Sequence, residues 1–277
     1  MLPGRLTRES GLSEARTTVL KIGGSVITDK GEELKAHTHV IDRLADEIQK
    51  ANRKNLIVVH GGGSFGHPSA KRNSIKDGFK NPSQLLGFAE THHFMTVLNG
   101  LVMDSLIMHN VPAVSVTPSS CITTESGRIK NFEDTPFRIM LKMGFTPVLY
   151  GDSVTDTKQG FAILSGDQLV SALAVKSNAE RIIIGVDVDG LCDADPKTEK
   201  SAKPFPHVTL EELKRLQSRI SKPASADVTG GMFGKITELI PALEKGVPVT
   251  IVNAAKPNNV CRALRGEKIE GTLIEKE

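Results

Sequence analysis

The stretch Leu56-Ile57-Val58-Val59-His60-Gly61-Gly62-Gly63-Ser64-Phe65-Gly66-His67 joins a short apolar, β-branched run to a glycine turn at its carboxyl end. A continuous apolar run of this length reads as a strand covered on both faces. Three adjacent glycines remove every Cβ from the turn, so the backbone can take positive φ and its N–H groups can converge on an anion. The flanking histidines add donors that glycine lacks. The same arrangement occurs at Val19-Leu20-Lys21-Ile22-Gly23-Gly24-Ser25, and a third glycine cluster, Thr229-Gly230-Gly231-Met232-Phe233-Gly234-Lys235, lies toward the other end. Two phosphate-bearing ligands explain three such clusters better than one.

Outward from these turns, further β-branched runs fall at 113–117, 147–150, 181–186 and 249–252, most of them separated by segments of helical periodicity. In 40–54, Val40, Ile41, Leu44, Ala45 and Ile48 share one face, which predicts an amphipathic surface helix. Strands alternating with helices imply right-handed crossovers and a mainly parallel sheet. The expected fold is therefore α/β, a three-layer αβα sandwich with ligands at the carboxyl ends of the strands. Segments 120–133, around Ser126-Gly127, and 153–164, around Gln159-Gly160, read as small β-hairpins. Residues 192–208, with Pro196, Pro204, Pro206 and many charges, read as a long surface loop.

Composition sets outer bounds. At 277 residues the chain can hold one large domain, read here as 18–277 behind a flexible tail at 1–17. Its formal charge is +3, and no lysine or arginine stripe alternates with aromatics, so a nucleic-acid partner is not indicated. No apolar run approaches the roughly 20 residues that span a bilayer. Cys121, Cys192 and Cys261 are odd in number, far apart and in no ligand spacing, which argues against a disulfide framework or a zinc site and for the reducing cytoplasm.

Each glycine motif has a competing reading. Gly61-x-Gly63-x-x-Gly66 matches the dinucleotide fingerprint literally, but Pro68 stands where a helix should begin and no acidic residue closes a strand about 20 residues on. The third cluster is one residue short of a Walker A loop and has Ile236 where magnesium needs a hydroxyl. A tight turn without a ligand is an equal reading for any single run, and Lys30 or Lys235 alone would read as a solvated surface lysine. Lys21 differs, because an ammonium in a buried strand is costly unless an anion or carboxylate meets it.

Taken together, these residues resemble the amino acid kinase superfamily, whose members transfer the γ-phosphoryl group of ATP to a carboxylate, carbamate or phosphate. Lys21-x-Gly23-Gly24-Ser25 resembles its first strand and turn, Ser165-Gly166-Asp167 its central acidic motif, and Val188-Asp189-Gly190-Leu191 with Asp195-Pro196 its nucleotide loop. Cys192 departs from the pattern, since many relatives carry an aromatic residue there. Gly61 to His67 followed by Pro68, the spacing from Lys21 to Lys30, and Asp227-Val228-Thr229-Gly230-Gly231-Met232-x-Gly234-Lys235 are similar to the isopentenyl phosphate kinase branch. Fosfomycin kinases share part of this pattern, including the histidine.

The resemblance implies ATP with Mg2+ as donor, isopentenyl phosphate as acceptor, isoprenoid synthesis as the setting and a homodimer as the assembly. It implies an acceptor-binding lobe at about 18–164 and a nucleotide-binding lobe at about 165–277. Lys21, Lys30, His67, Asp167 and Lys235 are the implied catalytic set, with Asp167 holding Lys21 and Lys235; read locally, Asp167 could also cap a helix. Lys21, Gly23, Gly24, Ser25, Gly63, Asp187, Gly231 and Lys235 are implied nucleotide contacts, and Gly62, Gly66, His67 and Gly166 acceptor contacts. No side chain is implied as a metal ligand. The long helix predicted from about 83 to 109 carries Phe88, Phe94, Met95, Leu98 and Met103, mostly core, of which one or two could line an apolar tail pocket. His92 and His93 read as solvent-facing, and His60 as a structural hydrogen-bonding residue. The alternatives are a fosfomycin-type phosphonate kinase on the same fold, or a nucleotide-sensing domain without turnover.

Overall fold

A computed structural model of the chain describes residues 16–194, 196, 198–220 and 230–277. Most of the tail, Asp195 and the 227–229 part of the third glycine cluster lie outside the described residues. The chain runs β1 (Thr18–Ile22), α1 (Gly24–Ile27), α2 (Thr38–Ala51), β2 (Leu56–His60), α3 (Gly63–Arg72), α4 (Gln84–Met108), β3 (Ala113–Ser115) and α5 (Pro118–Cys121). There follow β4 (Ile122–Glu125), β5 (Arg128–Phe132), α6 (Thr135–Met143), β6 (Thr146–Tyr150), β7 (Asp152–Asp156), β8 (Gly160–Leu164), α7 (Gly166–Lys176) and β9 (Arg181–Val186). The remainder is β10 (His207–Thr209), α8 (Leu210–Ile220), α9 (Gly230–Thr237), α10 (Ile240–Glu244), β11 (Val249–Asn253), α11 (Asn259–Arg265) and β12 (Thr272–Glu275).

Eight strands form one sheet in the order β10-β12-β11-β9-β1-β2-β6-β3, and every pairing is parallel except that of β11 with β12. The period of two along each strand separates two cores. Val19, Ile57 and Val59 face α6, α7 and α10, where Phe137, Leu169, Leu173 and Leu243 pack. Leu20, Leu56 and Val58 face α2, α4 and α11, where Leu44, Leu98, Val260 and Leu264 pack. The expected three layers are thus present, with the sheet in the middle. α2 ends at Asn52, whose φ of 47° is the left-handed stop that asparagine tolerates.

Both expected hairpins form, and they join into a second sheet, β5-β4-β7-β8. Ser126 and Gly127 both take positive φ, the pattern of a two-residue hairpin turn. The buried Asp156 carboxylate accepts the N–H groups of Ser126, Gly127, Lys158 and Gln159 and so fixes both turns at once.

The structure corrects three expectations. α3 begins at Gly63, so Pro68 lies inside it. Proline leaves the Ser64 carbonyl without its helical donor, and the N–H of Leu34 meets that oxygen at 3.4 Å. The loop at 192–208 gives way to β10 at His207, which with β12 extends the sheet by two strands too short for periodicity to reveal. Ser165, not Asp167, caps α7: its hydroxyl accepts the Gln168 N–H at 3.1 Å.

Candidate active site

β1 and β2 are parallel neighbours with Ile22 opposite His60, so their two glycine turns leave the sheet side by side. They pack backbone against backbone. A Cβ on Gly24 would stand 2.7 Å from the Gly63 Cα, and one on Gly61 2.7 Å from the Gly24 nitrogen. Thr28 ties the turns together: its hydroxyl donates to the Gly24 carbonyl at 2.8 Å and accepts the Ser64 N–H at 3.0 Å. Glycine is therefore required here by the contact between turns before any ligand is considered. Gly62 and Gly66 lie over Met95 instead, where added Cβ atoms would come within 2.8 and 2.9 Å of its sulfur.

The donors divide accordingly. Gly23 gives its N–H to Gly185 at 2.8 Å, Gly61 to Ile22 at 2.9 Å and Gly66 to Gly62 at 3.2 Å. Among the described residues no acceptor meets the N–H groups of Gly24, Gly62, Gly63, Gly166 or Asp167. Those of Gly63, Gly166 and Asp167 begin α3 and α7, so the positive ends of two helices point into the same space. The Gly66 and Gly23 amides, expected to bind phosphate oxygens, are already engaged by the fold.

A cleft of about 810 Å³ opens above these turns. Lys21, Lys30, His67, Asp167 and Lys235 all line it, as do Gly24, Ser25, Gly62, Gly63, Gly66, Gly166 and Asp187. Gly23 is not among its lining residues; Met232 of α9, the helix that also contains Gly231, is. Lys21 is 3% exposed, and its ammonium donates to Asp167 Oδ1 at 2.6 Å. The carboxylate that a buried lysine needs is thus in the first turn of α7. The exposed Lys30 reaches Asp187 at 3.1 Å across the cleft mouth.

Lys235 projects from α9 without a carboxylate at ion-pair distance among the described residues. It is open to solvent, yet enclosed enough by the cleft walls that withdrawal from bulk water lowers its pKa, with the charge of Lys21 next in effect. Asp167 acts on it only through space. His67 shows the same pattern: desolvation, then Lys235 and Lys21, push its pKa down. The site is a cluster of cations that repel one another until an anion enters.

At the far end, Thr91, Met95, Ala70, Ile163 and Leu164 supply a largely apolar wall. Of the five apolar α4 residues, Met95 alone lines the cleft. Phe88 packs on Phe161 with ring centroids 5.4 Å apart, and Phe94, Leu98 and Met103 belong to the core. His92 is half-buried rather than solvent-facing, its Nδ1 at 3.0 Å from the buried Asp152. His60 is fully buried, stacked on Tyr150 and 3.3 Å from Asn99, and burial pushes its pKa down to about 4. Val188, Gly190, Leu191, Cys192 and Ala194 form the opposite end. Asp189 turns away from it to Asn253 at 2.9 Å and Lys256 at 2.7 Å. Residues missed in the sequence, chiefly Thr28, Ser64, Thr91 and Ile163, are ordinary in type and gain a role only from what stands opposite them.

The sequence model of the amino acid kinase family matches residues 16–253, and the chain belongs to that family. Its relatives narrow the class. The isopentenyl phosphate kinase of Methanothermobacter thermautotrophicus is 41% identical over 264 residues, 92% of this chain and 98% of the relative. That of Methanocaldococcus jannaschii is 36% identical over 270 residues, 93% and 98% of the two chains. An X-ray structure of isopentenyl phosphate kinase superposes with a TM-score of 0.82 at 38% identity, covering 93% of this chain and 99% of that one. Among the described residues no helix is long and apolar enough to cross a membrane.

Proposed function

We infer that this chain transfers the γ-phosphoryl group of ATP to isopentenyl phosphate, giving isopentenyl diphosphate and ADP, a step of isoprenoid synthesis. One observation carries the reading: a single cleft at the strands' carboxyl ends holds His67, the free glycine amides and the three lysines beside an apolar wall. Isopentenyl phosphate kinases over nearly the full length favour this acceptor over fosfomycin. Retention of Lys21, Lys30, Asp167 and Lys235 together favours turnover over sensing.

The roles follow from charge. Two phosphate groups must approach while negative charge spreads over the transferring oxygens, so catalysis is positioning and charge cancellation. We assign Lys21 and Lys235 to the ATP phosphates and the transferring group, with Asp167 orienting Lys21 through its ion pair. Lys30 serves the transition state; its bond to Asp187 is exposed and so readily exchanged for phosphate. His67 donates to the acceptor phosphate beside the Gly62 amide, and the α7 amides of Gly166 and Asp167 face the same space. The acceptor oxygen is already anionic, which removes the need for a general base. Gly24, Ser25, Gly63 and Asp187 remain nucleotide-side candidates, while Gly23 serves through the backbone.

Mg2+ is proposed to travel on ATP. Such an ion keeps most of its waters and binds chiefly through phosphate oxygens. Residues 18–164 and 165–277 are proposed as acceptor and nucleotide lobes of one domain in a cytoplasmic homodimer. ADP release with Mg-ATP and isopentenyl phosphate, fosfomycin or no acceptor tests the reading. It predicts turnover with isopentenyl phosphate; release on fosfomycin alone, or none above the acceptor-free blank, contradicts it.

A further inference from the structure

Glu238 stands three residues beyond Lys235, a spacing at which a carboxylate and an ammonium on neighbouring turns can meet. They do not pair. Glu238 Oε1 instead accepts from Arg128 Nη1 at 2.7 Å, across 110 positions of sequence, while its Oε2 is buried with no partner. Arg128 opens β5 directly after the Ser126-Gly127 turn, and that turn is pinned from two sides. Asp156 accepts its amides at 3.1 and 2.8 Å. Gln168, next to Asp167 on α7, accepts the Ile129 N–H at 3.0 Å and donates to the Gly127 carbonyl at 3.2 Å. The hairpin is thereby fixed to the helix that bears Asp167, and Arg128 is carried to a set place beside the end of α9.

We propose that Arg128 is a positioning residue for the nucleotide end of the cleft: by engaging Glu238 it keeps that carboxylate off Lys235 and leaves the Lys235 ammonium available to the ATP phosphates. The inference rests on the reading of Lys235 as a phosphate ligand. Without Arg128, the Glu238 carboxylate loses its cation and is free to compete with ATP for Lys235, three residues away in sequence. Removing the Glu238 charge as well ends that competition. A pair that served only to brace the hairpin would behave differently, because removing both partners breaks the brace as fully as removing one.

The test is the affinity of the full chain for a non-hydrolysable ATP analogue with Mg2+, by calorimetry, with thermal midpoints recorded for each variant. No acceptor is needed, so the result does not depend on isopentenyl phosphate being the substrate. Arg128→Met is expected to weaken binding about fivefold to tenfold, and Arg128→Met with Glu238→Gln to return within about twofold of the parent. Should Arg128→Met fail to fold, Arg128→Gln keeps a donor without the charge and is expected to show the same loss and the same rescue. Parental affinity in the single variant, or a double variant as weak as the single, overturns the proposal. Lys235→Met binding as tightly as the parent overturns it together with the reading beneath it, and is told apart because Lys235 itself is then dispensable.

Discussion

In the free cleft, desolvation and the neighbouring Lys235 and Lys21 hold the pKa of His67 below the ordinary histidine value and so favour the neutral ring. A phosphate dianion reverses the sign of its surroundings and favours the charged ring, so its pKa rises on binding. Isopentenyl phosphate should therefore bring a proton onto His67, and the histidine's contribution to affinity should grow as pH falls through the bound-state pKa. Calorimetry at pH 7 in two buffers of different ionisation heat measures this: the parent is expected to take up more protons than His67→Asn, and equal uptake contradicts the assignment. Residues such as His67 and Lys21 were legible in the sequence because each is anomalous where it stands, a histidine inside a glycine turn and a lysine inside an apolar strand. Thr28 was not, since a threonine hydroxyl acquires meaning only when two separate turns are known to meet on it. Gly66 was misread for a related reason: its amide looks free in the sequence and is spent inside α3.

The two glycine turns behave as one element, and substitutions in them should not be equivalent. Gly24→Ala drives a methyl group into the backbone of Gly63, which cannot yield without parting the turns. Gly62→Ala meets the far end of the Met95 side chain, which can change rotamer. Urea unfolding is expected to show Gly24→Ala destabilised by about 1–3 kcal/mol and Gly62→Ala by less than about 1 kcal/mol; the reverse order contradicts the packing. At this scale the long elements α2, α4 and the inner strands were legible from periodicity and β-branching. β10 and β12 were hidden by length, having three and four residues. The start of α3 was hidden by Pro68, which reads as an obstacle to a helix beginning there and instead sits inside one, its cost eased by the Leu34 amide on the Ser64 carbonyl.

Across the whole molecule, α4 is apolar on more sides than the core uses. Leu86, Val97 and Met108, spaced eleven residues apart and so on one face of a 3.6-residue helix, are exposed, Leu86 by 78% and Met108 by 77%. A bare stripe of this length fits burial against a second copy of the chain. Sedimentation is expected to give a dimer for the parent and a monomer for the Leu86→Glu, Met108→Glu variant; a monomeric parent contradicts the assembly. The mainly parallel sheet covered on both faces followed from alternating strands and helices, whereas the order of its strands, and the bare face of α4 as distinct from its buried face, became known only from the neighbours each element meets. The central claim concerns what the cleft joins. 31P NMR of the enzyme with Mg-ATP and isopentenyl phosphate follows the atoms themselves: coupled diphosphate resonances should replace the monophosphate signal as ADP forms. A monophosphate signal that persists through excess enzyme and ATP would contradict the claim.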